Sequence, residues 1–283
     1  MILINDIQEM QQISLASKRD GKRVSFVPTM GFLHEGHASL MRQGRQLGDL
    51  LVLSIFVNPT QFGPNEDLDS YPRNLEGDCA IAQQCGVDIV FAPSAAAMYP
   101  PGFQTTVALG PLTESLCGAS RPGHFNGVAV VVTKLFSIVQ PDIALFGKKD
   151  FQQLAIIRQM TLDLNLPVTV VGMPIVREPD GLAMSSRNSY LTPEQRQQAL
   201  CLYRAILKAR KLYEQGELSV ERLLVEARKE IDAVPSATID YLELRDGTTL
   251  QPVEILSRGN LLALAVRIGS TRLIDNTVLG DDL

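Results

Sequence analysis

The 283-residue chain is 45% hydrophobic and 20% charged, and its net charge is −5 with both signs interspersed. Length and composition are those of a globular protein that divides into two domains. The acidic balance speaks against a nucleic-acid binder, which carries a basic stripe.

In chain order, residues Ile7 to Ser17 set Ile7, Met10, Ile13 and Leu15 on a helical stripe that ends near Gly21. Arg23-Val24-Ser25-Phe26-Val27 then reads as a buried strand. Leu50 to Val57 is an almost unbroken apolar run, as a strand covered on both faces requires. Ala80 to Gln84 continue a helix that Gly86 stops, and Val87 to Phe91 form a third strand. Gly127 to Val139 is an apolar helix, Ile143 to Phe146 a fourth strand, Phe151 to Leu164 a helix, and Val168 to Val171 a fifth strand. The alternation through about residue 176 predicts a Rossmann-like parallel sheet with helices on both faces. Thr192-Pro193-Glu194-Gln195 is a capping box with proline at the first helical position. It opens a helix carrying Ala199, Leu202, Ile206, Ala209 and Tyr213, closed at Gly216, and Ser219 caps another to about Ala233. Strands over Ile239 to Leu244, Leu261 to Val266 and Thr271 to Asp275 complete a smaller α+β domain. The expected division is 1–176 and 177–283, with the boundary inside Arg177 to Asn188.

Ligands of such sheets lie beyond the carboxyl ends of the strands. Met30-Gly31, Asn58 to Gln61, Gly147 to Asp150 and the segment after Val171 all follow strand ends, so they are expected to converge on one site. Pro28-Thr29-Met30-Gly31-Phe32-Leu33-His34-Glu35-Gly36-His37 is a strand end, a glycine turn and a helix start. That geometry aims backbone N–H groups and a helix dipole at an anion. His34 and His37, three residues apart, share one face of the first turn and add imidazole donors for phosphate. A zincin helix needs histidines at i and i+4 and a third ligand, which this spacing does not supply. The chain has no Gly-x-Gly-x-x-Gly, which disfavours a nicotinamide cofactor.

Cys79, Cys85, Cys117 and Cys201 form no Cys-x-x-Cys pair and read as core residues of a reduced, cytoplasmic protein. Met1 to Asp6 lacks the basic flank and apolar length of a secretory signal, and no run approaches a membrane span.

Further segments follow the first motif in order: Ser54 to Phe62, Arg121-Pro122-Gly123-His124-Phe125, Phe146-Gly147-Lys148-Lys149-Asp150-Phe151-Gln152-Gln153 and Ser185-Ser186-Arg187-Asn188. Together they resemble the pantothenate synthetase (pantoate–β-alanine ligase) family, of the His-x-Gly-His nucleotidyl-transfer superfamily. The resemblance implies ATP-dependent joining of pantoate to β-alanine through pantoyl adenylate, with AMP and pyrophosphate released. It implies catalytic roles for His34, His37 and Lys149. Its ATP-binding positions fall on Met30, Gly31, Phe32, Leu33, His34, Glu35, Gly36, His37, Gly147, Lys148, Lys149, Asp150, Val176, Met184, Ser185, Ser186 and Arg187. Pantoate falls to Gln61 and Gln153, and β-alanine to Gln61. Mg²⁺ is expected on the triphosphate, with no protein ligand assigned, and a homodimer is the family expectation. Where the family often has an acidic residue before the catalytic lysine, this chain has Lys148. Arg177 to Asn188, with Pro179 and Gly181, is expected to be a hinge-borne lid that ATP orders. A nucleotidyltransferase of the same superfamily and a non-catalytic nucleotide-sensing module share the helix start and stay open as alternatives.

Overall fold

Apolar β-branched runs flanked by short turns make strands that must be covered on both faces, and the helices between them supply the cover. The computed structural model describes residues 1–64 and 66–281. The chain folds as two compact units. The first comprises Met1–Gly110, Arg121–Lys148 and Gln153–Met173; the second comprises Pro111–Ser120, Lys149–Gln152 and the chain from Pro174.

The first unit is built on β1 (Ile2–Ile4), α1 (Ile7–Arg19), β2 (Val24–Thr29), α2 (Glu35–Leu47), β3 (Leu50–Ile55), α3 (Leu75–Gln84) and β4 (Ile89–Phe91). After α4 (Ala95–Met98) follow α6 (His124–Val139), β5 (Ile143–Gly147), α7 (Phe151–Asp163) and β6 (Thr169–Met173), with α5 (Leu116–Ser120) belonging to the second unit. Six parallel strands lie in the order β1-β4-β3-β2-β5-β6. The register pairs Val27 with Leu53 and Ser25 with Leu51, so alternate residues share a face. Val27, Leu51, Leu53 and Leu145 pack under Leu40 and Met41 of α2 and Ala82 of α3. α1 and α6 pack on each other and also lie against β2.

The sheet has one strand more than the sequence pattern predicts. β1 is three residues long and lies at the sheet edge with Ile2 and Leu3 about half exposed, so it shows no buried-strand pattern. Two helical expectations also shift. The buried face of α1 is Met10, Ser14 and Ser17, and Leu15 points outward. α3 begins at Leu75, where the Asn74 side chain accepts the Gly77 N–H.

The second unit contains α8 (Pro193–Gln198), α9 (Leu200–Glu214) and α10 (Val220–Asp232), then β7 (Ala237–Asp246), β8 (Asn260–Ile268) and β9 (Thr271–Val278). The capping box forms as read: Thr192 Oγ1 accepts the Gln195 N–H and Gln195 Oε1 accepts the Thr192 N–H. The single helix expected from it is two, divided at Ala199. The three strands form an antiparallel sheet in the order β7-β8-β9. Its apolar face, with Leu242, Leu262 and Leu264, packs with Leu202 and Ile206 of α9 and Leu223 and Ile231 of α10. Among the described residues no helix is long and apolar enough to cross a membrane.

Candidate active site

In the first unit the strand order reverses between β2 and β5, the position where open parallel sheets leave a crevice. β2 and β5 pair through Ser25–Ile143 and Phe26–Ala144, and counting on from that register sets Gly147 level with Thr29. The turn after Thr29 is held from below. Gly31 has φ +83, and a Cβ there would meet Asp78 Oδ2 and Ile55 Cγ2 at 2.9 Å. Phe32 follows with φ +50. Asp78, 3% exposed on α3, accepts the Phe32 N–H at 2.9 Å and the Leu33 N–H at 2.7 Å. Burial pushes the Asp78 carboxyl up, against the pull of those two bonds.

The two histidines cap the helix they begin. Gly36 N–H donates to His34 Nδ1 at 3.1 Å, and His34 N–H donates to His37 Nδ1 at 3.3 Å. The rings lie 4.1 Å apart, centroid to centroid. A ring nitrogen that accepts a hydrogen bond carries no proton, so each neutral imidazole holds its proton on Nε2. Several backbone N–H groups of the expected cradle have partners within the chain. Those of Phe32 and Leu33 go to Asp78, those of His34 and Gly36 go to the imidazoles, and that of His37 goes to the His34 carbonyl. The imidazoles sit at the positive end of the α2 dipole, which favours an anion there. Glu35 is paired with Arg42, and Leu33 is a core residue.

Gln61 ends a 3-10 turn, Pro59–Gln61, after β3. Its Oε1 accepts from Asn58 Nδ2 at 3.0 Å and its Nε2 lies 3.2 Å from Met30 Sδ, which joins this turn to the first motif. Asn58 is 1% exposed; its Nδ2 also donates to the Gly127 carbonyl and its Oδ1 accepts the Tyr99 hydroxyl at 2.7 Å. Arg121 and His124 both reach the Gln61 carbonyl, at 3.3 and 2.8 Å, and Arg121 is paired with Glu66 at 2.5 Å. The Arg-Pro-Gly-His motif thus holds the backbone that presents Gln61. Gln153 is half-buried in the first turns of α7, on the same unit as Gln61. Gly147 ends β5 and Lys148 opens a 3-10 turn, Lys148–Asp150.

The second unit carries the other candidates. Lys149 lies in that turn with Nζ 3.8 Å from Asp150 Oδ2. Residues Val176 to Met184 form a tight hairpin: Met184 N–H donates to the Val176 carbonyl at 3.0 Å, and Arg177 bridges Ala183. Asn188 braces it through Glu178 and the Ala183 carbonyl, and Arg196 through Glu178 and Asp180. Gly181 turns it with φ +98 under the Tyr203 ring. Ser185 caps the following 3-10 turn, Ser186–Tyr190, by accepting the Arg187 N–H at 3.3 Å. These contacts cross-brace Arg177 to Asn188, the segment expected to be a lid that ATP orders.

Asp78 and Tyr99 had no signal in the sequence, because their partners are remote in it. Asn58 stood inside a quoted motif, and its orienting contact to Gln61 is local enough to have been sought.

A parallel sheet with paired imidazoles capping the helix at its switch point is the build of the His-x-Gly-His nucleotidyl-transfer class. The family model described as pantoate–β-alanine ligase matches residues 2–278. The chain is 79% identical to the pantothenate synthetase of Trichlorobacter lovleyi over 99% of each chain. It is 58% identical to that of Geobacter sulfurreducens over the whole of both. The crystal structure of the Thermus thermophilus pantothenate synthetase superposes with a TM-score of 0.94 at 48% identity, covering 98% of this chain and 99% of that one. The Francisella tularensis pantoate–β-alanine ligase, solved with β-γ ATP and β-alanine, superposes with a TM-score of 0.82 at 34% identity, covering 98% and 97%. The chain belongs to the pantoate–β-alanine ligase family.

Proposed function

We propose that the chain joins (R)-pantoate to β-alanine at the expense of ATP, giving pantothenate, AMP and pyrophosphate. The observation that carries this reading is the family match over residues 2–278. In the first step a pantoate carboxylate oxygen attacks the α-phosphorus and pyrophosphate leaves. In the second the β-alanine amine attacks the acyl carbon, AMP leaves, and the amine gives up a proton. Adenylation is needed because a free carboxylate has no adequate leaving group.

Such chemistry rests on positioning and on neutralising charge at the triphosphate. His34 and His37 serve as Nε2–H donors to phosphate oxygens, and Lys149 as the mobile cation. Met30 to His37, Gly147 to Asp150, Val176 and Met184 to Arg187 contact the nucleotide. Gln61 and Gln153 bind pantoate through amides that both donate and accept, and Gln61 also meets β-alanine. Among the described residues no group of three or more acidic, histidine or cysteine side chains gathers as a metal cage. Mg²⁺ is read as held mainly by nucleotide oxygens and water, where it would offset phosphate charge. The protein is read as cytoplasmic and homodimeric, with no nucleic-acid partner.

The test is isotope exchange. Pantoate alone should support exchange of labelled pyrophosphate into ATP, and AMP release should require β-alanine. A product that keeps the adenylyl group would make the chain a nucleotidyltransferase. ATP binding with no turnover would make it a sensing module.

A further inference from the structure

The neighbouring β8 buries an apolar run, Leu261 to Val266, whereas in β9 Asp275, Asn276 and Thr277 are consecutive, polar and only 2%, 5% and 5% exposed. Burying three polar side chains in a row is unfavourable unless each has a partner. Each does. Asp275 accepts from Arg177 Nη1 at 2.7 Å and Nη2 at 3.0 Å, and from the Asn276 backbone N–H at 2.8 Å. Thr277 Oγ1 accepts from Arg210 at 2.8 Å. Asn276 Nδ2 donates to the carbonyl of Lys149 at 2.8 Å.

The last contact joins a strand near the C-terminus to a residue 127 positions earlier. Lys149 occupies the middle of the three-residue turn that leads from β5 straight into α7. Its carbonyl is gripped from β9 as well. The same strand grips the hairpin, since Arg177 is bound to Asp275 and donates to the Gly181 carbonyl at 3.0 Å. Burial pushes the Asp275 carboxyl up, while Arg177, the Asn276 N–H and, least, the Lys149 ammonium pull it down.

We infer that Asn276 is a positioning residue for the adenylation step, fixing the backbone of Lys149 so that its ammonium meets the triphosphate. This rests on the role given to Lys149 above. Misplacing a reacting group by an ångström costs on the order of a hundredfold in rate. Asn276→Ala removes the donor, and Asn276→Asp keeps the volume while setting an oxygen against the Lys149 carbonyl.

The experiment is a double-mutant cycle read by single-turnover pantoyl-adenylate formation, with a thermal melt for every variant. Asn276→Ala and Asn276→Asp are each expected to slow adenylation about a hundredfold, with the pantoate KM near that of wild type. In a Lys149→Ala background the same changes should add no more than about twofold, because they act through the lysine. Additive losses in that background, or an Asn276→Asp variant as fast as wild type, would overturn the inference. Should Asn276→Ala fail to fold, Asn276→Asp and its cycle with Lys149→Ala still decide. A slow Lys149→Ala beside fast Asn276 variants rejects the inference alone; a fast Lys149→Ala rejects the role of the lysine and the inference with it.

Discussion

Replacing Gly181 by alanine tests the claim that the hairpin is a fixed part of the second unit. Gly181 has φ +98, and a Cβ built there would lie 2.0 Å from Tyr203 Cδ1 and 2.1 Å from Cε1. Two penalties follow. Holding an L-residue in left-handed backbone costs about 1–2 kcal/mol, and forcing a packed ring aside costs about 1–3 kcal/mol. The ring is not free to yield cheaply, because the Arg177 guanidinium lies 4.7 Å from its centroid. Gly181→Ala should therefore lose about 2–5 kcal/mol in all, most of it from the collision. The chain has no tryptophan, so urea unfolding is best followed by far-UV circular dichroism. A cycle with Tyr203→Ala separates the terms: with the ring gone, Gly181→Ala should cost only the backbone share. A loss below about 1 kcal/mol, or one unchanged by Tyr203→Ala, would refute the packing described.

His37→Ala should lower single-turnover adenylation about a hundred- to a thousandfold and also soften the melt, since a lost cap costs about 0.5–2 kcal/mol; Lys149→Ala should match the first effect without the second. Gln153→Ala should raise the pantoate requirement at unchanged ATP affinity, and wild type should disfavour a deoxy analogue by roughly 10⁴-fold in kcat/KM; equal use of the two acids would remove both glutamines from recognition. Limited proteolysis should spare residues 177–188 with and without ATP where the braces alone fix the segment, whereas cleavage suppressed by ATP would support the lid. Burial pushes the Glu66 carboxyl up, but hydrogen bonds from Arg121 outweigh it and leave it below the ordinary glutamate range. The pair therefore adds stability above that range and loses it as pH falls through the lowered value. The urea midpoints of wild type and Glu66→Gln should accordingly differ near neutrality and converge in acid.

Much of the fold was legible because burial writes itself into sequence locally. Val24 to Val27, Leu50 to Ile55 and Ile143 to Phe146 are covered on both faces and announce themselves as apolar runs. Ile2 to Ile4 are paired on one side only and two of the three are half exposed, so the pattern has nothing to mark. Thr192-Pro193-Glu194-Gln195 was readable because its bonds span three residues, whereas the break at Ala199 has no glycine or proline to signal it. The helix start at His34 was legible in kind, but the partners of its N–H groups were not. The rule that such ends offer backbone donors held no information about Asp78, which lies 45 and 46 residues from the groups it accepts. The same distance problem hid the Asn276 contact to Lys149. Only the unbroken run Asp275-Asn276-Thr277 within a strand hinted that something polar was being held there.

The chain passes from one unit to the other five times, after Gly110, Ser120, Lys148, Gln152 and Met173. Most multidomain proteins can be cut once and their halves traded between genes. Here a single recombination event near residue 174 would hand over a C-terminal piece that lacks residues 111–120 and 149–152 of its own unit, Lys149 among them. Neither half is a transferable cassette, and a chimera with another ligase would have to exchange all three segments together.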